Sequence, residues 1–208
     1  MVIGIDSLPK TQGLLVAKNG RAKKQIDSVL SLKGFDIQEM RAEDIPSLVD
    51  QEMWTYFGLT TTEYLAEYQL ANPQTELSYW EIPWRDGQCL YNQPMICVIG
   101  KRNLIKKEIS ALDSIKVAIE RNTRNLSTAV VSEYLKQESI TTENITIRQL
   151  SGEVEALVMK GDADMCVEIV SSGTTVDNYG LEIYRDVFPI DLVVVANTNY
   201  IKQLRERE

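Results

Sequence analysis

Apolar and polar positions along the chain fall into a rhythm of short runs and amphipathic stretches. Residues 13–18, GLLVAK, form an apolar run that predicts a short buried strand; Asn19-Gly20 then turns the chain into an amphipathic helix, RAKKQIDSVLSLK, that stops at Gly34. FDIQEM at 35–40 returns as a strand, and Glu43-Asp44-Ile45-Pro46 opens a second helix with acids and a proline in its first turn. An aromatic strand follows at 54–59 and a helix at 62–70. Residues 71–93 break the rhythm with two prolines, a glycine and several aromatics, and read as irregular or hairpin structure and as the place for a domain crossover.

Beyond it, PMICVIG, IKVAIE with NLSTAVVSEYLKQ, NITIRQL with GEVEALVMK, and ADMCVEIV with a glycine loop alternate strand and helix; PIDLVVVAN and a charged helix, TNYIKQLRERE, close the chain. Such alternation predicts an α/β fold whose sheets are largely parallel and carry helices on their faces. There is no internal repeat.

Charge and composition narrow the chemistry. The 208 residues include 22 Lys+Arg against 30 Asp+Glu, a formal net charge of −8 with no basic run, so broad electrostatic capture of nucleic acid or of an anionic membrane is not expected. Any bound anion must be held locally. The opening MVIGIDSLPK lacks a basic start and a long apolar stretch, and no apolar run approaches membrane-spanning length, so the expected address is cytoplasmic. Three cysteines without a C-x-x-C pair read as reduced thiols. The chain has no histidine, which excludes Ser-His-Asp and Cys-His catalysis and His-ligated metals.

The most informative segment is 163–176, ADMCVEIVSSGTTV. An apolar strand ends in Ser171-Ser172-Gly173-Thr174-Thr175 where a helix begins, so glycine permits close backbone approach while amides and hydroxyls supply donors for a phosphate monoester. A plain N-capped turn has the same residues. Glu168 is an acid among Met165, Cys166, Val167, Ile169 and Val170; it needs a partner such as a ribose diol or magnesium, unless it lies on the solvent side of an edge strand. Tyr79, Trp80, Trp84 and Tyr91 offer either a stacking surface for a base or filling for an interdomain core.

Residues 151–181, SGEVEALVMKGDADMCVEIVSSGTTVDNYGL, resemble the phosphoribosyl-diphosphate signature of the ATP phosphoribosyltransferases of histidine biosynthesis, through Glu155, Gly161, Ala163, Glu168, Ser172, Gly173, Thr175 and Gly180-Leu181. Departures are Cys166 for Ile or Val, Glu168 for Asp, and Val176 for Leu or Met. Upstream, the family's Pro-Lys-Gly-Arg turn is matched by Lys18, Gly20 and Arg21 with Ala17 for proline, and its Arg-x-x-Asp-Ile-Pro by Arg41, Asp44, Ile45 and Pro46. In YFGLTTTEYL, Gly58 and Thr60 are kept while Tyr56, Thr61 and Glu63 replace Asp, Gly and Asp.

The resemblance, covering about 13–200, implies a divergent short-form member: two domains of periplasmic-binding-protein type II, with mixed sheets and helices on both faces. The expected division is 1–92 plus 185–208 and 93–184, the second part carrying the phosphoribosyl-diphosphate loop. The implied reaction moves the phosphoribosyl group to N1 of ATP, or, given the departures, to a related nitrogen heterocycle. It passes through an oxocarbenium-like state without a protein nucleophile, so the missing histidine is no obstacle.

Ser171, Ser172, Gly173, Thr174 and Thr175 would hold the 5′-phosphate, Glu168 the ribose hydroxyls or magnesium through water, and Lys18, Arg21 and Arg41 the diphosphate or ATP phosphates. Glu155, at a helix start, would cap or orient. A homo-oligomer and a histidyl-tRNA-synthetase-like regulatory subunit are the implied partners. Two rivals stand beside this reading: a non-catalytic two-lobed binding or regulatory subunit of the same fold, and an assembly subunit that packs through its C-terminal helix.

Overall fold

An interior strand of the first sheet is apolar on both faces. Leu14, Leu15, Val16 and Ala17 of β1 (Gly13–Ala17) are buried throughout, as a strand flanked by neighbours and covered by helices must be. The structure, a computed structural model, describes residues 13–51, 56–102, 109, 112, 114–140 and 144–206. The expectations for the first dozen residues and for positions 54 and 55 lie outside them.

After β1 come α1 (Gly20–Val29), β2 (Asp36–Met40), a 3-10 turn (Ala42–Asp44), α2 (Ile45–Gln51), β3 (Tyr56–Thr61), α3 (Thr62–Ala71) and β4 (Leu77–Ile82). The second half has β5 (Met95–Lys101), β6 (Ile115–Glu120), α4 (Arg124–Gln137), β7 (Ile145–Leu150), α5 (Val154–Lys160), β8 (Met165–Val170), α6 (Thr174–Asn178) and β9 (Leu181–Pro189). Then β10 (Leu192–Asn197) and α7 (Thr198–Arg205) follow.

The chain forms two units, Met1–Trp84 with Asp191–Glu208, and Arg85–Ile190. The changeovers fall at 84/85 and 190/191, whereas the sequence suggested 92/93 and 184/185. Hydrogen bonding explains the shift. Ile190 N–H donates to Pro94 O at 2.9 Å, which keeps all of β9 on β5, while Trp84 N–H donates to the Asp191 carboxylate at 2.6 Å.

Unit 1 orders its sheet β2-β1-β3-β10-β4, with β1 parallel to β2 and β3, and β10 antiparallel to β3 and β4. Unit 2 orders its sheet β7-β6-β8-β5-β9; β6 is parallel to β7 and β8, and β5 is antiparallel to β8 and β9. Both sheets are therefore mixed, against the largely parallel sheet read from the alternation of elements. Two strands escaped that reading. β4 lies in the 71–93 stretch, read as irregular or hairpin structure, and β9 lies in a stretch to which no element was assigned.

Packing follows the periodicity. α1 buries Ala22, Gln25 and Ile26, one face at helical spacing, and ends at Val29 with Leu30 extended. Ser28 Oγ bonds to the Gln25 carbonyl at 2.8 Å, competing with continuation of the helix toward 33. Ile45, Val49 and Leu65 cover Leu15, Val193 and Val195. Gly58 allows this closeness: a Cβ there would collide with Ile45 and Val195 methyl groups. In unit 2, Val154 and Val158 pack on Cys97, Ile99, Ala118, Cys166 and Val170. Among the described residues no helix is long and apolar enough to cross a membrane.

Candidate functional site

In unit 2 the strand-to-loop segment is set by β8, a central strand and not an edge. That excludes the reading of Glu168 as an acid on the solvent side of an edge strand. Alternation puts Cys166, Glu168 and Val170 on one face, the face where Val154 and Val158 of α5 pack. Glu168 is half-buried, and one of its oxygens accepts from its neighbour's amide, Ile169 N–H, at 2.8 Å.

Glu155 stands in the first turn of α5, and its Oε2 is buried without a hydrogen bond. The two carboxyls converge on Cys166: burial, then the negative charge of Glu168, then that of Glu155, push its thiol well above the ordinary range. Burial, helped by Asp186, pushes Cys97 up to about 12, so neither thiol is a nucleophile.

The loop itself is open. Gly173 has φ +79°, a left-handed turn that favours glycine, and α6 starts just after it with Val176 buried as its anchor. Leu90 N–H donates to Ser171 O at 2.8 Å and pins the loop from outside. The Ser172 and Thr174 hydroxyls are 2.9 Å apart, and Thr174 N–H leans on Ser172 Oγ at 3.3 Å. Among the described residues no protein acceptor takes the N–H groups of Ser172, Gly173 or Thr175. Ser172 and Gly173 border a cavity of about 260 Å³ with Leu90, Arg102 and Asp177. The Arg102 guanidinium there sits 3.4 Å from Asp177 Oδ1, an exposed pair worth little to stability.

In unit 1 the cationic candidates gather at the carboxyl ends of the parallel strands. Lys18 and Arg41 directly follow Ala17 and Met40, which are paired across β1 and β2, and Lys18 N–H donates to Met40 O at 2.8 Å. Arg21 stands in the first turn of α1; all three side chains are exposed. The structure thus groups Lys18, Arg21 and Arg41 in unit 1, and Glu155, Glu168 and 171–175 in unit 2.

The aromatic residues do not share one place: Tyr79 and Trp80 lie on edge strand β4, Trp84 is buried in unit 1, and Tyr91 packs on the unit 2 core.

Sequence reading noted Glu63 only as a departure. Its carboxyl, at the first turn of α3 beside β3, is 3% exposed, and Oε2 makes no hydrogen bond. Burial lifts its pKa to about 7; the Thr61 hydroxyl, standing beside it outside good hydrogen-bond geometry, its own backbone and the Arg21 charge act in the other direction.

Comparison with known proteins bears on family and fold. An ATP phosphoribosyltransferase from Sulfurisphaera tokodaii is 25% identical over 170 residues, 82% of this chain and 53% of that protein, so the chain spans about half the length of such a relative. Among solved structures, the ATP phosphoribosyl transferase (HisG:HisZ) complex from Thermotoga maritima covers 94% of this chain and 92% of that one at TM-score 0.66 and 19% identity. The periplasmic aliphatic sulphonate binding protein SsuA from Escherichia coli covers 94% of this chain and 64% of its own at TM-score 0.60 and 12% identity, which places the fold in the periplasmic-binding-protein type II class. The family model for ATP phosphoribosyltransferase (HisG) matches residues 41–207, and the chain belongs to that family.

Proposed function

We propose that the protein transfers the phosphoribosyl group of phosphoribosyl diphosphate to N1 of ATP, the first step of histidine biosynthesis, in the cytoplasm. The observation that carries this is the loop 172–175, where the N–H groups of Ser172, Gly173 and Thr175 have no protein acceptor among the described residues, beyond a central strand bearing Glu168. Those donors suit the 5′-phosphate, and the Glu168 carboxylate, which accepts from Ile169 N–H, suits a ribose hydroxyl. Lys18, Arg21 and Arg41 neutralise the diphosphate or the ATP phosphates. As the bond from C1 to the diphosphate breaks, its electron pair leaves with pyrophosphate and the N1 lone pair closes on C1. The protein's part is to orient both anions and stabilise departing charge.

Magnesium fits this donor set as an ion arriving on the substrate's phosphates. Among the described residues no group of three or more acids or cysteines is placed to hold one alone, whereas Glu155 and Glu168 offer hard oxygens, directly or through water. The ion would supply charge neutralisation on the diphosphate. A homo-oligomer joined by a histidyl-tRNA-synthetase-like regulatory subunit completes the proposal, in keeping with the relative solved as a two-component complex.

The departures at Tyr56, Thr61 and Glu63 favour a second acceptor reading, a related nitrogen heterocycle. Assay of pyrophosphate release with ATP and then with other heterocycles, with and without the regulatory partner, separates the two. Donor binding without release from any acceptor would leave a binding subunit. Gly173→Val should weaken donor binding at least tenfold, since a branched side chain at φ +79° is strained and blocks the approach to the amides. Unchanged affinity in calorimetry sinks the phosphate cradle.

A further inference from the structure

The segment that leads from the unit boundary to β5 has no role in the scheme above, yet it reaches the proposed phosphate loop. β5 is antiparallel to β8 with Met95 opposite Val170, so the chain entering β5 runs beside the chain leaving β8. Residues 85–93 close on themselves at that place. Asp86 N–H donates to Asn92 O at 2.9 Å; Asn92 N–H donates to Cys89 O and Cys89 N–H to Asp86 O, both at 3.0 Å. The Asp86 carboxylate accepts from Gln88 N–H at 2.9 Å, and Arg85 Nη1 donates to Gln93 Oε1 at 3.0 Å. Cys89 is buried and Tyr91 packs on the core of unit 2, so the segment is fixed on both sides of Leu90.

Leu90 joins this segment to the loop. Its N–H donates to Ser171 O at 2.8 Å, and its Cδ2 lies 3.5 Å from where a Cβ on Gly173 would stand, an ordinary van der Waals contact. With 55% of the residue exposed, burial in the core does not account for its place. A trans peptide carries its C=O and N–H on opposite edges. Because Leu90 holds the Ser171 carbonyl, the Ser172 N–H points away from Leu90, and it has no protein acceptor among the described residues. Turning that peptide over breaks the bond to Leu90, so one orientation is selected before any ligand arrives.

We propose that Leu90 is a positioning residue for phosphate binding: its main-chain N–H, by holding the Ser171 carbonyl, presets the Ser172 N–H toward the ligand's phosphate, while its side chain rests against the left-handed turn at Gly173. This rests on the reading of 172–175 as the phosphate loop. Without the hold, peptide 171–172 samples other orientations, and ordering it is charged to the ligand's affinity. The effect is reciprocal: a phosphate on Ser172 N–H keeps the peptide in the orientation that Leu90 grips, so ligand and Leu90 strengthen each other's bond.

Calorimetry of the full chain with ribose 5-phosphate, which carries the phosphate without the diphosphate, tests this. Replacing Leu90 by the α-hydroxy acid with the same side chain removes the N–H alone and should weaken binding about tenfold. The same replacement at Asn92 breaks a bond inside the segment, leaves Leu90 N–H in place and should keep wild-type affinity. Leu90→Met, which retains the amide and an apolar side chain of similar volume, should bind within about twofold of wild type. In unaltered protein, hydrogen exchange of the Leu90 amide should slow by about the same tenfold factor when ribose 5-phosphate saturates the site, a readout that needs no variant to fold. Wild-type affinity without the Leu90 N–H, equal losses at 90 and 92, or exchange at Leu90 that the ligand leaves unchanged overturns the positioning role while the phosphate loop stands. Failure of ribose 5-phosphate to bind wild type overturns the reading of the loop as well.

Discussion

Glu63 meets water as an ordinary carboxyl in the unfolded chain, near 4.5, and loses that hydration on folding, which lifts it to about 7. The folded state holds the proton more tightly than the unfolded state. The stabilising contribution is therefore fully present below about 4.5 and is lost as pH rises through 7. The shift corresponds to about 3 kcal/mol across that window. Glu63→Gln should be close to wild type at pH 5, more stable than wild type at pH 8, and should flatten the slope between them; urea midpoints at a series of pH values check this. A parallel slope in both proteins would assign the titration to another group.

The local anion chemistry at 171–175 was legible because it lies in one stretch, where glycine, hydroxyls and a strand end are neighbours in sequence. Glu63 was not, because its burial depends on β3, the 3-10 turn and α2 covering it. Glu168 stands between these cases: alternation gave its side of the strand, but only the sheet order shows that the strand is central.

At the scale of elements, β1, β8 and β10 read clearly because central strands are continuous apolar runs. β4 and β9 did not, since both are edge strands with polar residues on the outward face, and β9 carries Glu182, Arg185 and Asp186 within it. What holds β9 in place beyond its ladder to β5 is a polar clamp onto the end of α4. Arg185 Nη2 is 2.6 Å from Glu138 Oε1, its other terminal nitrogen bonds to Gln137 Oε1, and the guanidinium lies 6.0 Å from the centre of the Tyr134 ring. Tyr134 in turn stacks on Tyr184 of β9 at 6.5 Å between ring centres.

The Glu138 side chain is only 8% exposed, so removing the arginine leaves a carboxylate largely cut off from water. Arg185→Ala should lower stability by about 2 kcal/mol, discounted from a fully buried pair because the arginine is partly solvated. Arg185→Lys should recover less than half of the loss, since an ammonium cannot make the forked contact. Denaturant midpoints of the three proteins measure both effects. Equal stability of alanine variant and wild type would make the clamp ornamental.

For the molecule as a whole, chain order and spatial order disagree in a way that has folding consequences. Unit 2 is one continuous stretch, Arg85–Ile190, with its own sheet and core. Unit 1 is discontinuous, and the returning segment supplies β10, which lies between β3 and β4 in the sheet. Leu192, Val193, Val194, Val195 and Ala196 are all buried there, so β10 is part of the core.

A chain ended after Ile190 would leave β4 without its ladder partner and strip the apolar cover from Ile45, Val49 and Leu65. Five buried apolar side chains are worth several kcal/mol, more than a small unit's margin of stability. Such a truncation should therefore unfold unit 1 and leave unit 2 folded. Its urea curve should retain a cooperative transition, and amide exchange should show protection in β5, β6 and β8 with loss in β1 and β3. The isolated 85–190 segment should give the same protected core. Protection of β1 and β3 in the truncated chain would mean that unit 1 closes its core without the returning strand, and that the discontinuity carries no folding cost.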